Sequence, residues 1–376
     1  MDGTVTASGA ARRTFRTLDG LRGVAAIAVA FRHIPDNAVA ALTPQSFLAV
    51  DLFFMLSGFV LAHAYAARLA AGMRFADFVA ARLIRLYPLY LVASLITLAL
   101  VLVPAQAGHY HPPVPSLRTV VFAMLFVPTI APESRLGLFP LVGPAWSLFF
   151  ELAVNVVFAL LAPRLSGRRL AVAVAAGAVL LGATIAHFGT VDVGWSQTSL
   201  WGGFGRVGFG FFAGVAAYRL WQADTMPWLW LPPWGAVAIV AAIFAIDPGH
   251  HAAAWDAAVV VIVMPVLVLA SARGEPGRWL ARPFALLGAA SYAIYVLTNP
   301  VDQWVETLLP WPQVDRYAGF GTTGAVVLVA AITGLALALD RWVDRPVRGG
   351  LGRAWSRRSG AHRQTMSPRP APPPSA

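Results

Sequence analysis

The chain has 376 residues, of which 58% are hydrophobic and only 12% charged, about half the ~25% charged share of ordinary soluble domains. Too few polar residues remain to cover a water-exposed surface, so a soluble globular protein is excluded and most of the chain must face hydrocarbon. The net charge of +11 comes from Arg alone, and those Arg residues sit in short breaks between apolar runs rather than in an aromatic-interleaved stripe. That is the pattern of positive-inside anchoring, not of nucleic-acid binding.

There is no Cys, which rules out disulfides, thiolate-held metals and a thiol nucleophile. No metal and no bound cofactor is expected. Residues 1–15 are polar and basic, without the apolar core and small-residue cleavage site of a signal peptide. Ten apolar runs follow, at 20–34, 47–65, 83–103, 144–162, 170–188, 203–220, 234–246, 253–270, 286–304 and 321–343. They predict an all-α integral membrane protein of about ten transmembrane helices, although several runs fall short of the usual ~20 residues. A further piece at 120–130, bounded by Pro128, Pro132 and Pro140, is too short to span and reads as a re-entrant or interfacial segment. With both termini cytoplasmic, one side receives Arg12, Arg13, Arg16, then Arg68, Arg74, Arg82, Arg85, then Arg164, Arg168, Arg169, Arg219, Arg273, Arg278 and Arg282, and the basic tail. The other side keeps Arg118, Arg135 and Arg316. One miscounted span would invert everything downstream, so the asymmetry supports the count. Trp228, Trp230, Trp234, Trp304 and Trp311 fall at span ends, as an interfacial belt would. Residues 351–376 are basic and then Pro-rich and are expected to be disordered. Residues 16–350 form the membrane domain.

Charged residues within spans cost roughly 2.5–3.5 kcal/mol each and need a reason. The first run, LDGLRGVAAIAVAFRHIP, places Arg22 and His33 about three turns and ~16 Å apart on one helix face. Asp19, one turn before Arg22, is a plausible partner. A snorkelling Arg and a boundary His would explain the pair equally well. In the second run, Asp51 enters the span and the small pair Ser57-Gly58 suits helix packing more than chemistry. Arg82 and Arg85 are one turn apart, a spacing that suits a phosphate-bearing ligand but also simple anchoring. The fourth run carries Ser147, Glu151 and Asn155 as a polar stripe. Glu151 needs a cation or a hydrogen-bond donor, and Arg206 is a candidate partner. The ninth run carries Ser291, Tyr292, Tyr295, Thr298 and Asn299.

In order, LDGLRGVAAIAVAFRH, VDLFFMLSGF, RLIRLYPLY, PAWSLFFEL, LGAASYAIYVL and DRPVR resemble the membrane-bound acyltransferase 3 family over residues 15 to 350. Its signature, an Arg and a His with ten residues between them, is matched by Arg22 and His33. The resemblance implies a ten-helix fold and acyl transfer, commonly from acetyl-CoA or another acyl-CoA, to a hydroxyl of a glycan, lipid-linked sugar or macrolide-type acceptor. It implies that Arg82 and Arg85 meet the donor's phosphates, and that Trp146, Ser147 and Glu151 form its tryptophan-serine-to-glutamate motif. Many members carry His where this chain has Thr298, and Glu where it has Asp344.

The residues fit that chemistry. Acyl transfer to an alcohol needs a base or an acyl-carrying nucleophile. Without Cys or a Gly-x-Ser-x-Gly elbow, His33 is the candidate for either role, since imidazole titrates near neutrality. Arg22 and Glu151 complete the expected catalytic set, Arg82 and Arg85 are expected to bind the donor, and Asp19, Ser57, Trp146, Ser147, Tyr292 and Tyr295 to line the site. The expected partners are the lipid bilayer, acyl-CoA and a hydroxyl-bearing acceptor, in the cell membrane. A multi-pass transporter or flippase of a glycan or acylated small molecule is the alternative, although no paired sequence halves support it.

Overall fold

The computed structural model describes residues 13–34, 37–104, 113–130, 137–308 and 321–365. Most of the basic N-terminal segment, with Arg12, lies outside the described residues, as do Pro132, Arg135, Trp311, Arg316 and residues 366–376 of the tail.

The described residues form helices and turns without a strand. In order they are α1 (Arg16–Arg32), α2 (Ala38–Leu42), α3 (Ala49–Ala70), α4 (Phe75–Ala99), α5 (Leu117–Met124), α6 (Ala145–Leu161), α7 (Gly167–Phe188) and α8 (Leu200–Gln222). After these come α9 (Pro233–Ala245), α10 (Ala252–Ala258), α11 (Met264–Ser271), α12 (Arg278–Leu308), α13 (Gly321–Leu339) and α14 (Arg345–Thr365). Short π-helical segments, Val259–Val263 and Asp340–Asp344, join α10 to α11 and α13 to α14. Each of the ten apolar runs falls on a helix. Seven helical stretches among the described residues are long and apolar enough to cross a membrane. The helices over the other three runs are α1, α8 and α9; α1 has 17 residues and α9 only 13. Outward-facing Leu160, Val179, Ile262 and Val327 are exposed, as lipid-facing side chains would be.

Close helix approaches build the core, among them that of α7 on α8, where Gly177 meets the Phe209 backbone. α1 lies along α12, where Gly23 rests on Leu287 and Gly288 on Asp19, so a Cβ at either glycine would overlap its neighbour. α8 lies against α3 with equal intimacy. Gly58 meets the Phe211 carbonyl and Gly214 meets the Met55 carbonyl, backbone to backbone. Helices driven together by van der Waals contact rather than by a hydrophobic effect need such small residues.

Helix ends depart from the apolar runs because polar side chains continue the helices into them. α4 starts at Phe75, so Arg82 and Arg85 lie two to three turns inside it rather than at its edge. α14 runs to Thr365, so the tail is helical through its first part rather than disordered from residue 351. Asp77 in the first turn of α4 holds it, accepting hydrogen bonds from Trp355 Nε1 at 2.9 Å and Ser359 Oγ at 3.0 Å. The short piece after Pro113 is α5, eight residues long. Tyr87 and Tyr90 of α4 fasten it by donating to the carbonyls of Met124 and Ala123 at 2.6 and 2.8 Å.

Candidate active site

Two open cavities lie along α1. One receives Arg22 from the first half of the helix, the other Arg32 and His33 from its end. They enclose about 830 and 940 Å³, mouths included, within the size range of small-ligand sites.

The arginine cavity is built by α1, α3, α4, α6 and α12. Arg22, Ser57, Arg82, Arg85, Glu151 and Tyr292 supply much of its polar lining, with Ser147 and Tyr295 at one end. Glu151 finds its cation in Arg82, at 3.0 Å, and the same Oε1 accepts from Ser57 Oγ at 2.8 Å. The Ser57-Gly58 pair therefore serves two purposes, since Gly58 packs against α8 while Ser57 faces the cavity. Arg206 is not the partner of Glu151. It is fully buried and paired side-on with Asp51, Nε to Oδ1 at 3.0 Å and Nη2 to Oδ2 at 2.7 Å. Two carbonyls, Val193 at 2.9 Å and Phe47 at 3.2 Å, and the face of Trp146 at 5.4 Å complete its surroundings. This satisfies the guanidinium on every side, as a buried charge requires.

Arg22 and Arg85 are held more loosely than Arg82. Arg22 is 3.7 Å from Asp19 and Arg85 is 3.6 Å from Asp344. Asp344 has a closer partner in Arg348, at 3.0 Å. The Arg85 guanidinium also lies over the Tyr292 ring at 5.3 Å, and the Tyr292 hydroxyl donates to the Leu86 carbonyl. The closing DRPVR segment thus reaches the cavity by bracing Arg85, from a π-helical turn of the kind often found at functional sites.

The histidine cavity is walled by the end of α1, the start of α6 and the loop between α7 and α8, with Trp146, Asp192 and Trp195 in its lining. His33 Nδ1 lies 2.8 Å from the Val29 carbonyl. A carbonyl can only accept, so Nδ1 carries a proton, and in the neutral imidazole the lone pair is left on Nε2. Arg32 donates to Asp192 at 2.8 Å and to the Pro44 carbonyl at 3.0 Å. Asp256 pins the loop bearing Asp192, accepting from Thr190 Oγ1 and the Val191 N–H, both at 2.9 Å. Arg32 and Asp192 carry no pairing signal in the linear sequence. The Arg beside His33 was visible, but nothing in a linear pattern pairs it with a loop 160 residues away.

Of the expected site residues, Arg22, Ser57, Arg82, Arg85, Ser147, Glu151, Tyr292 and Tyr295 therefore share one cavity. His33 and Trp146 line the other, so Glu151 and His33 do not face a common space. Asp19 stands beside Arg22, outside the lining. Thr298 lines neither cavity and bonds back to the Ile294 carbonyl at 2.7 Å.

The helices thus enclose a basic cavity and a histidine cavity, both reached by α1. The family model described as an acyltransferase domain, acyltransferase 3, matches residues 15–340, and the chain belongs to that family; it is an acyltransferase that transfers groups other than aminoacyl groups. It is 39% identical over 184 residues to "Protein 2 in picA locus" of Rhizobium radiobacter, covering 46% of this chain and 96% of that protein. It is 26% identical over 264 residues to "Exopolysaccharide production protein ExoZ" of Rhizobium meliloti (strain 1021), covering 66% of this chain and 74% of that one. No solved structure matches.

Proposed function

We propose that this acyltransferase moves an acetyl group from acetyl-CoA, held in the arginine cavity on the cytoplasmic side, to a glycan hydroxyl held in the histidine cavity on the other side of the cell membrane. The observation that carries the reading is the division of α1, with Arg22 in one cavity and His33 in the other. Ten crossings with both termini cytoplasmic agree with it, since each apolar run holds a helix and the Arg-rich breaks then share one side. A glycan acceptor is supported by the exopolysaccharide production named for one relative.

The donor's phosphates call for cations not already neutralised. Arg82 is committed to Glu151, whereas the looser Arg22 and Arg85 are the two that can turn to a phosphate. His33 acts as the base. Its Nε2 takes the proton from the acceptor hydroxyl as the oxygen attacks the thioester carbonyl, the new C–O bond forms, the C–S bond breaks, and the proton passes on to the CoA thiolate.

The test is steady-state kinetics on purified protein in nanodiscs. His33→Gln should lower kcat by about 10²–10⁴-fold with acetyl-CoA affinity kept. Arg85→Ala should raise the KM for acetyl-CoA about tenfold or more, from the loss of one charged hydrogen bond. Full activity in His33→Gln protein that folds normally would refute the role of His33.

A further inference from the structure

The two cavities have one lining residue in common, Tyr295 of α12. Its side chain is buried between them, edge-on to the Phe53 ring at 5.5 Å, with its hydroxyl 2.8 Å from Ser147 Oγ on the first turn of α6. A thioester in the arginine cavity and an acceptor hydroxyl in the histidine cavity must meet where the cavities adjoin, beside this phenol.

The hydrogen bonding of Tyr295 differs from that of its neighbours. Tyr87, Tyr90 and Tyr292 all donate to backbone carbonyls, which fixes their protons because a carbonyl can only accept. The partner of Tyr295 is another hydroxyl, and either oxygen can donate. When Ser147 donates to the Pro144 carbonyl, 3.1 Å away, Tyr295 donates to Ser147. When Ser147 turns to donate to Tyr295, the phenol proton is free for a third oxygen. The ring need not move, and a hydrogen bond received from Ser147 makes the phenol a better donor.

We infer that Tyr295 is a catalytic residue whose hydroxyl donates a hydrogen bond to the acyl carbonyl oxygen as negative charge develops there during transfer. The inference rests on the donor and acceptor reading above. In the step, the acceptor oxygen bonds to the carbonyl carbon and the carbonyl oxygen becomes an oxyanion held by Tyr295. The oxyanion then collapses with loss of the C–S bond, and the acceptor's proton leaves through His33 to the thiolate. Tyr295 keeps its own proton throughout. The other polar candidates are less suited. Arg82 is committed to Glu151, and Arg22 and Arg85 line only the arginine cavity.

The test compares Tyr295→Phe and Ser147→Ala with the wild type in nanodiscs. CoA release from acetyl-CoA is followed by thiol detection, which a chain without Cys leaves free of background, in the presence of extracted exopolysaccharide. Tyr295→Phe keeps the ring between the cavities and should lower kcat about 10²-fold or more, the effect of losing one oxyanion donor, while the KM for acetyl-CoA changes less than about threefold. Ser147→Ala leaves the phenol in place and should cost less than about tenfold. A Tyr295→Phe enzyme within threefold of wild-type kcat would overturn the inference. So would a loss that appears only as a raised KM.

Sidedness separates this inference from the reading beneath it. Val60→Cys in the arginine cavity and Trp195→Cys in the histidine cavity should react with an impermeant maleimide from opposite faces of sealed vesicles. Labelling of both from one face would overturn the donor and acceptor reading itself, and the role of Tyr295 with it.

Discussion

Arg206 and Asp51 show how costly residues inside the bundle are compensated. Both are fully buried, and an isolated charge in such a place would cost several kcal/mol. Four polar contacts and the Trp146 face remove that cost. Arg206→Ala should therefore destabilise the protein by about 3–5 kcal/mol through the unpaired Asp51, whereas Arg206→Met with Asp51→Leu should come much closer to wild type. Thermal melting in nanodiscs measures both, and equal losses in the two variants would contradict the argument. Most of the polar residues that matter were visible in the sequence, because a Glu or Arg within an apolar run stands out. Their partners were not. Spacing along a helix fixes the face a residue occupies but not the neighbour it meets. Hence Glu151, expected beside Arg206, pairs with Arg82, while the i, i+3 pair Asp19–Arg22 was readable because both ends lie on one helix.

At the scale of helices, the bundle depends on backbones that nearly touch. Gly214→Leu would drive a side chain into the Met55 carbonyl. It should lower stability by about 1–3 kcal/mol or more through overpacking, whereas a change at exposed Val179 should leave melting unaltered. α14 depends on a different kind of contact. Asp77→Ala removes the acceptor for both Trp355 and Ser359 and should make α14 more sensitive to limited trypsin digestion, with cleavage read by mass spectrometry. The apolar runs located the helices well, because hydrophobic length is a strong signal. Their ends were less legible. α4 begins well before its apolar run, since Arg82 and Arg85 are sheltered by Glu151 and by Tyr292. α14 continues through a strongly basic stretch because carboxylates meet it, Asp340 and Asp344 at its start and Asp77 of α4 further on, the last a tertiary contact that composition does not record.

At the scale of the whole molecule, α1 borders two spaces, a cavity with Arg22, Arg82 and Arg85 and a cavity with His33, Arg32 and Asp192. Under the proposed reading, donor and acceptor arrive from two faces of the membrane rather than from one. That Arg22 and His33 stand about three turns apart along α1 was legible from their spacing. That each opens into its own cavity, with Tyr295 lining both, depends on how α3, α6 and α12 pack around those cavities and could not be read from the chain. The most direct measurement uses sealed proteoliposomes of known protein orientation with acetyl-CoA carrying an isotopic acetyl label. Acetylated glycan is expected when acetyl-CoA is supplied on the Arg22 face and the glycan only on the His33 face. Transfer that occurs only when both substrates share one face would contradict that reading.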